Sequence, residues 1–329
     1  MAHLVAAFGT SHSPALNSPA EDFAKHAERD AAYPNHLDLS GNPTTFADLV
    51  ASASPAIAAE ITPPRIAARV AACARHIARL ADAIAAARLD ALVIIGDDQR
   101  EQYRDENLPA FLVYWGERIT NTVSDLPDSA PEYWKRARAH YHEPDGPRDY
   151  PVAAALGRHI IETLTEREFD VAHARTLARP RGEGHAFGFV HRRLMRDTVI
   201  PIVPIAVNTY YPPNQPRPGR CFRLGQALRA AIESCPDDQR VGIIASGGLS
   251  HFTVNEALDR GVLDACRAGD GARLAATPTK QLNSGNSEIR NWIVTAGAAE
   301  GLITRWQEYE PFYRTPAGTG CAMAFAEWA

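Results

Sequence analysis

The chain has 329 residues, 45% of them hydrophobic and 22% charged, with a formal net charge of −5. That length holds a substantial core, and 34 Lys and Arg scattered among 39 Asp and Glu exclude a nucleic-acid binder. Its apolar stretches are too short to span a membrane, no secretory signal opens it, and five dispersed cysteines without a CxxC predict free thiols in a reducing cytoplasm.

Leu4–Phe8 is an apolar run that predicts a first strand, delivering His12 on its exit loop. Ser18–Thr45 is polar and punctuated by Pro, Asn and Gly, and it carries His26 and His36. So long and weakly periodic a stretch reads as a functional loop or lid with short helices. Thr62-Pro63-Pro64 opens a helix, with Thr62 as cap and proline in the first turn. Ile66, Val70, Cys73, Ile77, Leu80, Ala81 and Ile84 then recur at helical spacing, with arginines on other faces. Leu89–Ile95 is nearly continuously apolar, the mark of a strand buried on both faces, and exits into Gly96-Asp97-Asp98-Gln99. Ala110–Tyr114 predicts another strand, and the charged, proline-rich stretch Val123–Pro147 an excursion over the surface.

Val152–Glu166 predicts a helix, Phe169–His173 a short strand, and Arg179–His185 a Gly-rich loop ending in histidine. Val199–Asn208 reads as a strand whose prolines suit an edge or irregular position, followed by a rigid turn at Tyr210–Pro216. Cys221–Glu233 predicts an amphipathic helix feeding Val241–Phe252. There Val241, Ile243 and Ile244 form a buried strand, and Ala245–Gly248 remove side-chain bulk before His251. Two glycines after a strand let the backbone turn sharply towards a ligand, and ligands bind at that strand end in an open α/β sheet. Helices are predicted over Asn255–Cys266 and Ser287–Ala299, and Thr315–Trp328 returns to the sheet. The alternation predicts an α/β fold: one domain over residues 1–329, with a largely parallel or mixed sheet flanked by helices and long loop excursions.

His12, His185 and His251 each end a Gly- or Ser-rich loop after a predicted strand. Brought together they form a metal or acid/base site; taken singly, each serves local backbone groups. Glu288 falls in the first turn of a predicted helix, as a carboxylate ligand or as a residue favoured by the helix dipole. Asp97 and Asp98 read either as ligands or as turn residues. Two imidazoles and one carboxylate leaving open positions suit Fe(II) and O₂ chemistry, although spacing alone does not select iron over zinc.

These pieces resemble the class III extradiol ring-cleaving dioxygenases, typified by the β-subunit of protocatechuate 4,5-dioxygenase. The resemblance rests on Thr10-Ser11-His12-Ser13-Pro14, Gly96–Gln99, Gly184-His185, Asn208-Thr209, Arg220-Cys221-Phe222, Ser246–His251 and Phe312–Ala317 in that order. It implies His12 and Glu288 as Fe(II) ligands, His251 as acid/base, and His185 against a substrate oxygen. The family's second ligand histidine is replaced here by Gln99. Either Gln99 binds iron through its amide oxygen, or another histidine substitutes, with His36 the candidate. The Asp-Gln variant has a looser resemblance to members acting on gallate and 3-O-methylgallate. The implied substrate is a catechol-type aromatic, a dihydroxy, trihydroxy or methoxylated benzoate, together with O₂. Tyr210 and Tyr211 either recognise that ring or its carboxylate, or pack on the proline turn. A homo-oligomer is implied, with or without a small accessory subunit, and no membrane or nucleic-acid partner. Two other readings stay open: an iron-free structural or regulatory subunit, and a zinc-dependent hydrolase on His12 and Glu288.

Overall fold

The apolar run around Val241 forms the parallel centre of a mixed sheet. The computed structural model describes residues 1–196 and 198–329. Nine strands make the sheet: β1 (His3–Thr10), β2 (Ala91–Asp97), β3 (Phe111–Tyr114), β4 (Ala172–Ala174), β5 (Ile202–Val207), β6 (Arg240–Ser246), β7 (His251–Thr253), β8 (Thr304–Tyr313) and β9 (Thr319–Trp328). Their spatial order is β7-β9-β1-β6-β2-β5-β3-β4, with β8 beside β9. Strands β1, β6, β2 and β5 are parallel neighbours. Strand β9 runs antiparallel to β1, β7 and β8.

Side chains alternate between the two sheet faces, so each central strand feeds two cores. Val93, Ile95, Val241, Ile243, Val203 and Ile205 enter one core, while Leu92, Ile94, Ile244 and Ile202 enter the other. The principal helices are α1 (Phe23–Ala31), α2 (Pro63–Ala86), α3 (Glu132–Arg138), α4 (Ala154–Glu166), α5 (His185–Phe189), α6 (Pro218–Ser234), α7 (Glu256–Ala268) and α8 (Ile289–Ala298). Leu156 and Ile160 of α4, Leu224 and Leu228 of α6, and Ile293 of α8 cover the first face. Ile77, Leu80 and Ile84 of α2, with Phe187 and Phe189 of α5, cover the second. Because β1, β2 and β6 are parallel, Thr10, Asp97 and Ser246 all end at the same edge, where the exit loops converge.

Several local expectations are corrected. Val199–Asn208 does not form an edge strand: β5 lies between β2 and β3. Its proline is tolerated because the antiparallel ladder to β3 spans only Ile205–Val207, leaving Pro204 just outside it. The strand predicted at Phe169–His173 begins at Ala172, and Phe169 is a core residue before it. Thr62 stands at the start of α2, but its hydroxyl bonds back to the Ala59 carbonyl at 3.2 Å and caps nothing. The stretch 123–147 is more than a surface excursion: α3 leads into a turn, Ala139–Tyr141, whose His140 and Tyr141 are buried. Strand β8 escaped prediction because Glu308 and Glu310 share a face with Trp306 and Phe312, so its sequence lacks a clean apolar–polar alternation.

Candidate active site

His12 leaves β1 and is 3% exposed. Its Nδ1 lies 3.0 Å from the Ser246 hydroxyl at the end of β6, and that hydroxyl donates to the Ala186 carbonyl at 2.7 Å. With the serine proton committed, Ser246 accepts from His12 Nδ1–H, and the Nε2 lone pair faces the site. Nε2 stands 3.2 Å from Glu288 Oε2.

Glu288 is not in the first turn of a helix but closes a 3₁₀ turn, Ser284–Glu288, immediately before α8, and it is buried. The Gly248 amide donates to its Oε2 at 2.6 Å. Asn291 fastens the start of α8 by donating to Asp97 Oδ1 at 3.2 Å and the Ser246 carbonyl at 3.0 Å, and Trp292 donates to the Gly247 carbonyl at 2.8 Å. The exits of β2 and β6 and the turn bearing Glu288 are thereby tied together.

His251 donates Nδ1–H to the Leu249 carbonyl at 2.9 Å, and the Asn286 side chain accepts its backbone N–H at 2.8 Å. Its Nε2 faces Glu288 Oε1 at 3.5 Å and the Tyr210 hydroxyl at 3.4 Å. Gly285 is needed beneath it, since a Cβ there would strike the imidazole. Behind His251, Ser250 is held by Asp259, whose Oδ2 accepts both the serine hydroxyl at 2.6 Å and the Tyr309 hydroxyl at 2.8 Å.

His185 opens α5 after Gly184, whose φ of +89° suits glycine. Its Nδ1 meets Glu101 Oε2 at 2.7 Å, and its backbone N–H also points at that carboxylate. Its Nε2 is buried with no hydrogen-bond partner, 3.8 Å from Asp97 Oδ2. The His12 and His185 rings meet edge-on with centroids 4.7 Å apart.

Gln99, the expected amide-oxygen ligand, instead turns its amide nitrogen to the acids, donating Nε2 to Glu288 Oε1 at 3.1 Å and to Asp97 Oδ2 at 3.3 Å. Asp98 is a turn residue, accepting the amides of Gln102 at 2.8 Å and Tyr103 at 2.9 Å. His36 does not join the others. Its Nε2 is bound to the Asp30 carbonyl at 3.0 Å, and its ring packs between Tyr33 and Phe46, away from the cavity. Tyr210 lines the cavity, whereas Tyr211 lies under the Arg100 guanidinium at 4.4 Å.

Electrostatics reflect the crowding of buried acids and imidazoles. Burial lowers the pKa of His12, although Glu288 pulls the other way. Burial and the nearby Glu288 push Asp97 up to about 8. Burial opposes ionisation of both Glu101 and His185, yet their mutual attraction wins, holding Glu101 near 2 and raising His185 to about 9. For His251 too, burial works against the charged form, but Cys321 and Glu288 outweigh it and raise the pKa well above the usual imidazole value.

His12, Gln99, His185, Tyr210, His251 and Glu288 face one cavity of about 470 Å³, a size that accommodates a small aromatic molecule. Four arginines also line it: Arg29, Arg138, Arg181 and Arg314. Arg314 pairs with Asp30 at 2.9 Å and Arg181 with Asp125 at 3.3 Å. Among the described residues, Arg29 and Arg138 have no carboxylate partner; Arg138 Nε is buried without any hydrogen bond, and Arg29 stacks on Trp134 at 3.8 Å. Sequence reasoning missed Glu101, Ser246 as a hydrogen-bonding group, Tyr141 and Arg138. The available signal for Glu101 was its place two residues beyond Gln99 on the same exit loop.

Residues 50–320 match the family described as the catalytic LigB subunit of aromatic ring-opening dioxygenase, and the chain belongs to it. The chain is also 34% identical over 201 residues to gallate dioxygenase of Pseudomonas putida (strain KT2440), a match covering 56% of this chain and 57% of that protein. No helix among the described residues is long and apolar enough to cross a membrane.

Proposed function

We propose that this chain is an Fe(II)-dependent extradiol dioxygenase, residues 1–329 forming one catalytic domain, that opens a catechol-type ring with O₂. The observation that carries the reading is the pair of lone-pair donors, His12 Nε2 and Glu288 Oε2, aimed at each other 3.2 Å apart with His12 Nδ1 already occupied. Two such acceptors held together in a buried site call for a cation between them, and imidazole with carboxylate oxygen suits ferrous iron. His12 and Glu288 would hold the ion, with further donors among Gln99, Asp97 and His185. Bound there, Fe(II) supplies coordination of adjacent ring oxygens and of O₂.

The chain's own groups do the rest. His251 Nε2, with Nδ1 anchored on a carbonyl, is oriented to exchange a proton with a ring oxygen, since a cation held on Glu288 would offset the carboxylate that otherwise keeps the imidazole protonated. Tyr210, kept protonated by burial and by Glu288, can donate its O–H towards the same point. Arg138, with Arg29 nearer the mouth, would receive an anionic substituent on the far side of the ring. Gallate dioxygenase is named for an aromatic acid of this kind.

The test is anaerobic loading with Fe(II), followed by oxygen uptake with catechol, protocatechuate, gallate and 3-O-methylgallate. Uptake with a ring-opened product, lost in His12→Ala and strongly slowed in His251→Gln, is expected. A folded protein that binds iron but consumes no O₂ with any diol overturns the enzyme reading. Hydrolytic turnover in the absence of O₂ would favour a zinc hydrolase instead.

A further inference from the structure

The geometry points to His185, and not residue 99 or residue 36, as the second imidazole ligand of the metal site. This rests on the metal-dependent reading above. A neutral imidazole offers one lone pair, and its position is set by whatever holds the other nitrogen. Glu101 accepts Nδ1–H at 2.7 Å and also the backbone N–H of His185, so ring and backbone are fixed by one carboxylate. The remaining Nε2 is buried, and no donor among the described residues reaches it. A carboxylate behind one ring nitrogen and a buried, unpartnered nitrogen on the other, whose proton a metal ion displaces on binding, is the arrangement that outer partners impose on ligating histidines.

The distances agree. Ligand atoms of His12, Asp97 and His185 lie within 4.8 Å of one another, and His12 Nε2 is 3.2 Å from Glu288. One ion can touch His12, Asp97 and His185, giving two nitrogens and a carboxylate oxygen, with Glu288 beside His12. Gln99 has a different task. Its amide N–H₂ bridges Glu288 and Asp97 at 3.1 and 3.3 Å, and turning the amide over would press its oxygen against both carboxylates. It therefore brackets the two acids. His36 is committed to the Asp30 carbonyl outside the cavity.

The test measures metal binding directly, without turnover. Anaerobic calorimetric titration with Fe(II), and with Co(II) as spectroscopic substitute, would be run on the wild type, His185→Asn, His185→Ala, Gln99→Ala, Glu101→Gln and His12→Ala. Circular dichroism would establish folding for each. Pulsed EPR of the ferrous nitric-oxide adduct would count coordinated imidazole nitrogens. We expect both His185 variants to weaken metal binding at least about 100-fold, comparably to His12→Ala, and to lose one imidazole coupling. Glu101→Gln should weaken binding about 10- to 100-fold, and Gln99→Ala by less than about three-fold. Folded His185 variants that keep wild-type affinity and both imidazole couplings would overturn the assignment while leaving the dioxygenase reading intact. A wild type that binds neither metal would overturn both.

Discussion

His12 and Ser246, 234 residues apart, are joined by a hydrogen bond whose direction is fixed by a third group. The Ser246 hydroxyl gives its proton to the Ala186 carbonyl at 2.7 Å, so it can only accept from His12 Nδ1 at 3.0 Å. The histidine is thereby locked in the tautomer that presents Nε2 to Glu288. Ser246→Ala removes the lock and leaves the first-exit histidine free to rotate or change tautomer. Metal affinity should fall about 10- to 100-fold, with the fold retained, as measured by anaerobic metal titration beside circular dichroism. Unchanged affinity would mean that the tautomer is set elsewhere.

Arg138 and Glu288 both line the cavity. The Arg138 guanidinium stands 5.7 Å from the Tyr141 ring, whose centroid is 5.6 Å from that of the His185 ring. A benzoate-type acid could therefore bridge the cation and the site. Arg138→Gln should raise KM for protocatechuate or gallate about 10- to 100-fold, the loss expected for a charge-assisted hydrogen bond, while leaving KM for catechol nearly unchanged. Arg138→Lys should recover part of the effect, because the charge remains and the planar fork does not. Equal KM changes for acid and neutral diols would show that Arg138 shapes the cavity without reading charge.

The sheet and three of the histidines were legible because they obey local rules. Val241–Ile244 is apolar and β-branched, the glycines follow, and the parallel neighbours end at one edge, beside a cavity that His12, His185 and His251 line. The partners that give them chemistry were not legible. Ser246 was read as a small residue after a strand, and its acceptor, Ala186, lies 60 residues away. The stretch 123–147 looked like a surface loop because a polar cavity needs the same arginines, histidines and prolines as a solvated surface. His36 fails for the opposite reason: histidine in a long loop resembles a spare ligand, and only the structure reveals the Asp30 carbonyl holding it.

Arg290 ties the site's loops together. Fully buried, it donates to the carbonyls of Pro216 at 2.8 Å and Leu282 at 2.7 Å, and more distantly to Thr209 and Ser287, each at 3.3 Å. These carbonyls flank the turn carrying Tyr210 and the turn carrying Glu288. Arg290→Met keeps much of the volume but strands buried acceptors, and should destabilise the fold by about 3 kcal/mol or more. Urea unfolding at neutral pH measures this. A loss below about 1 kcal/mol would mean that the carbonyls find other donors.

His26 predicts how stability should respond to acid. It is buried beside Ser18, whose hydroxyl lies 2.9 Å from Nε2, and burial, with Arg314 and Arg29 nearby, lowers its pKa to about 4. In the unfolded chain the imidazole titrates near its ordinary value of about 6.5. Between these values the unfolded state binds the proton that the folded state refuses. The stability that neutral His26 contributes is therefore full above about pH 6.5 and is lost as pH falls towards 4, a loss on the order of 2–3 kcal/mol. Other groups titrate in that window, so the informative quantity is the difference from His26→Gln, whose amide can still meet Ser18 and carries no proton equilibrium. Urea unfolding at pH 7.5 and pH 4.5 should show the wild type losing more stability than the variant. Parallel losses in the two proteins would place the acid sensitivity at other groups.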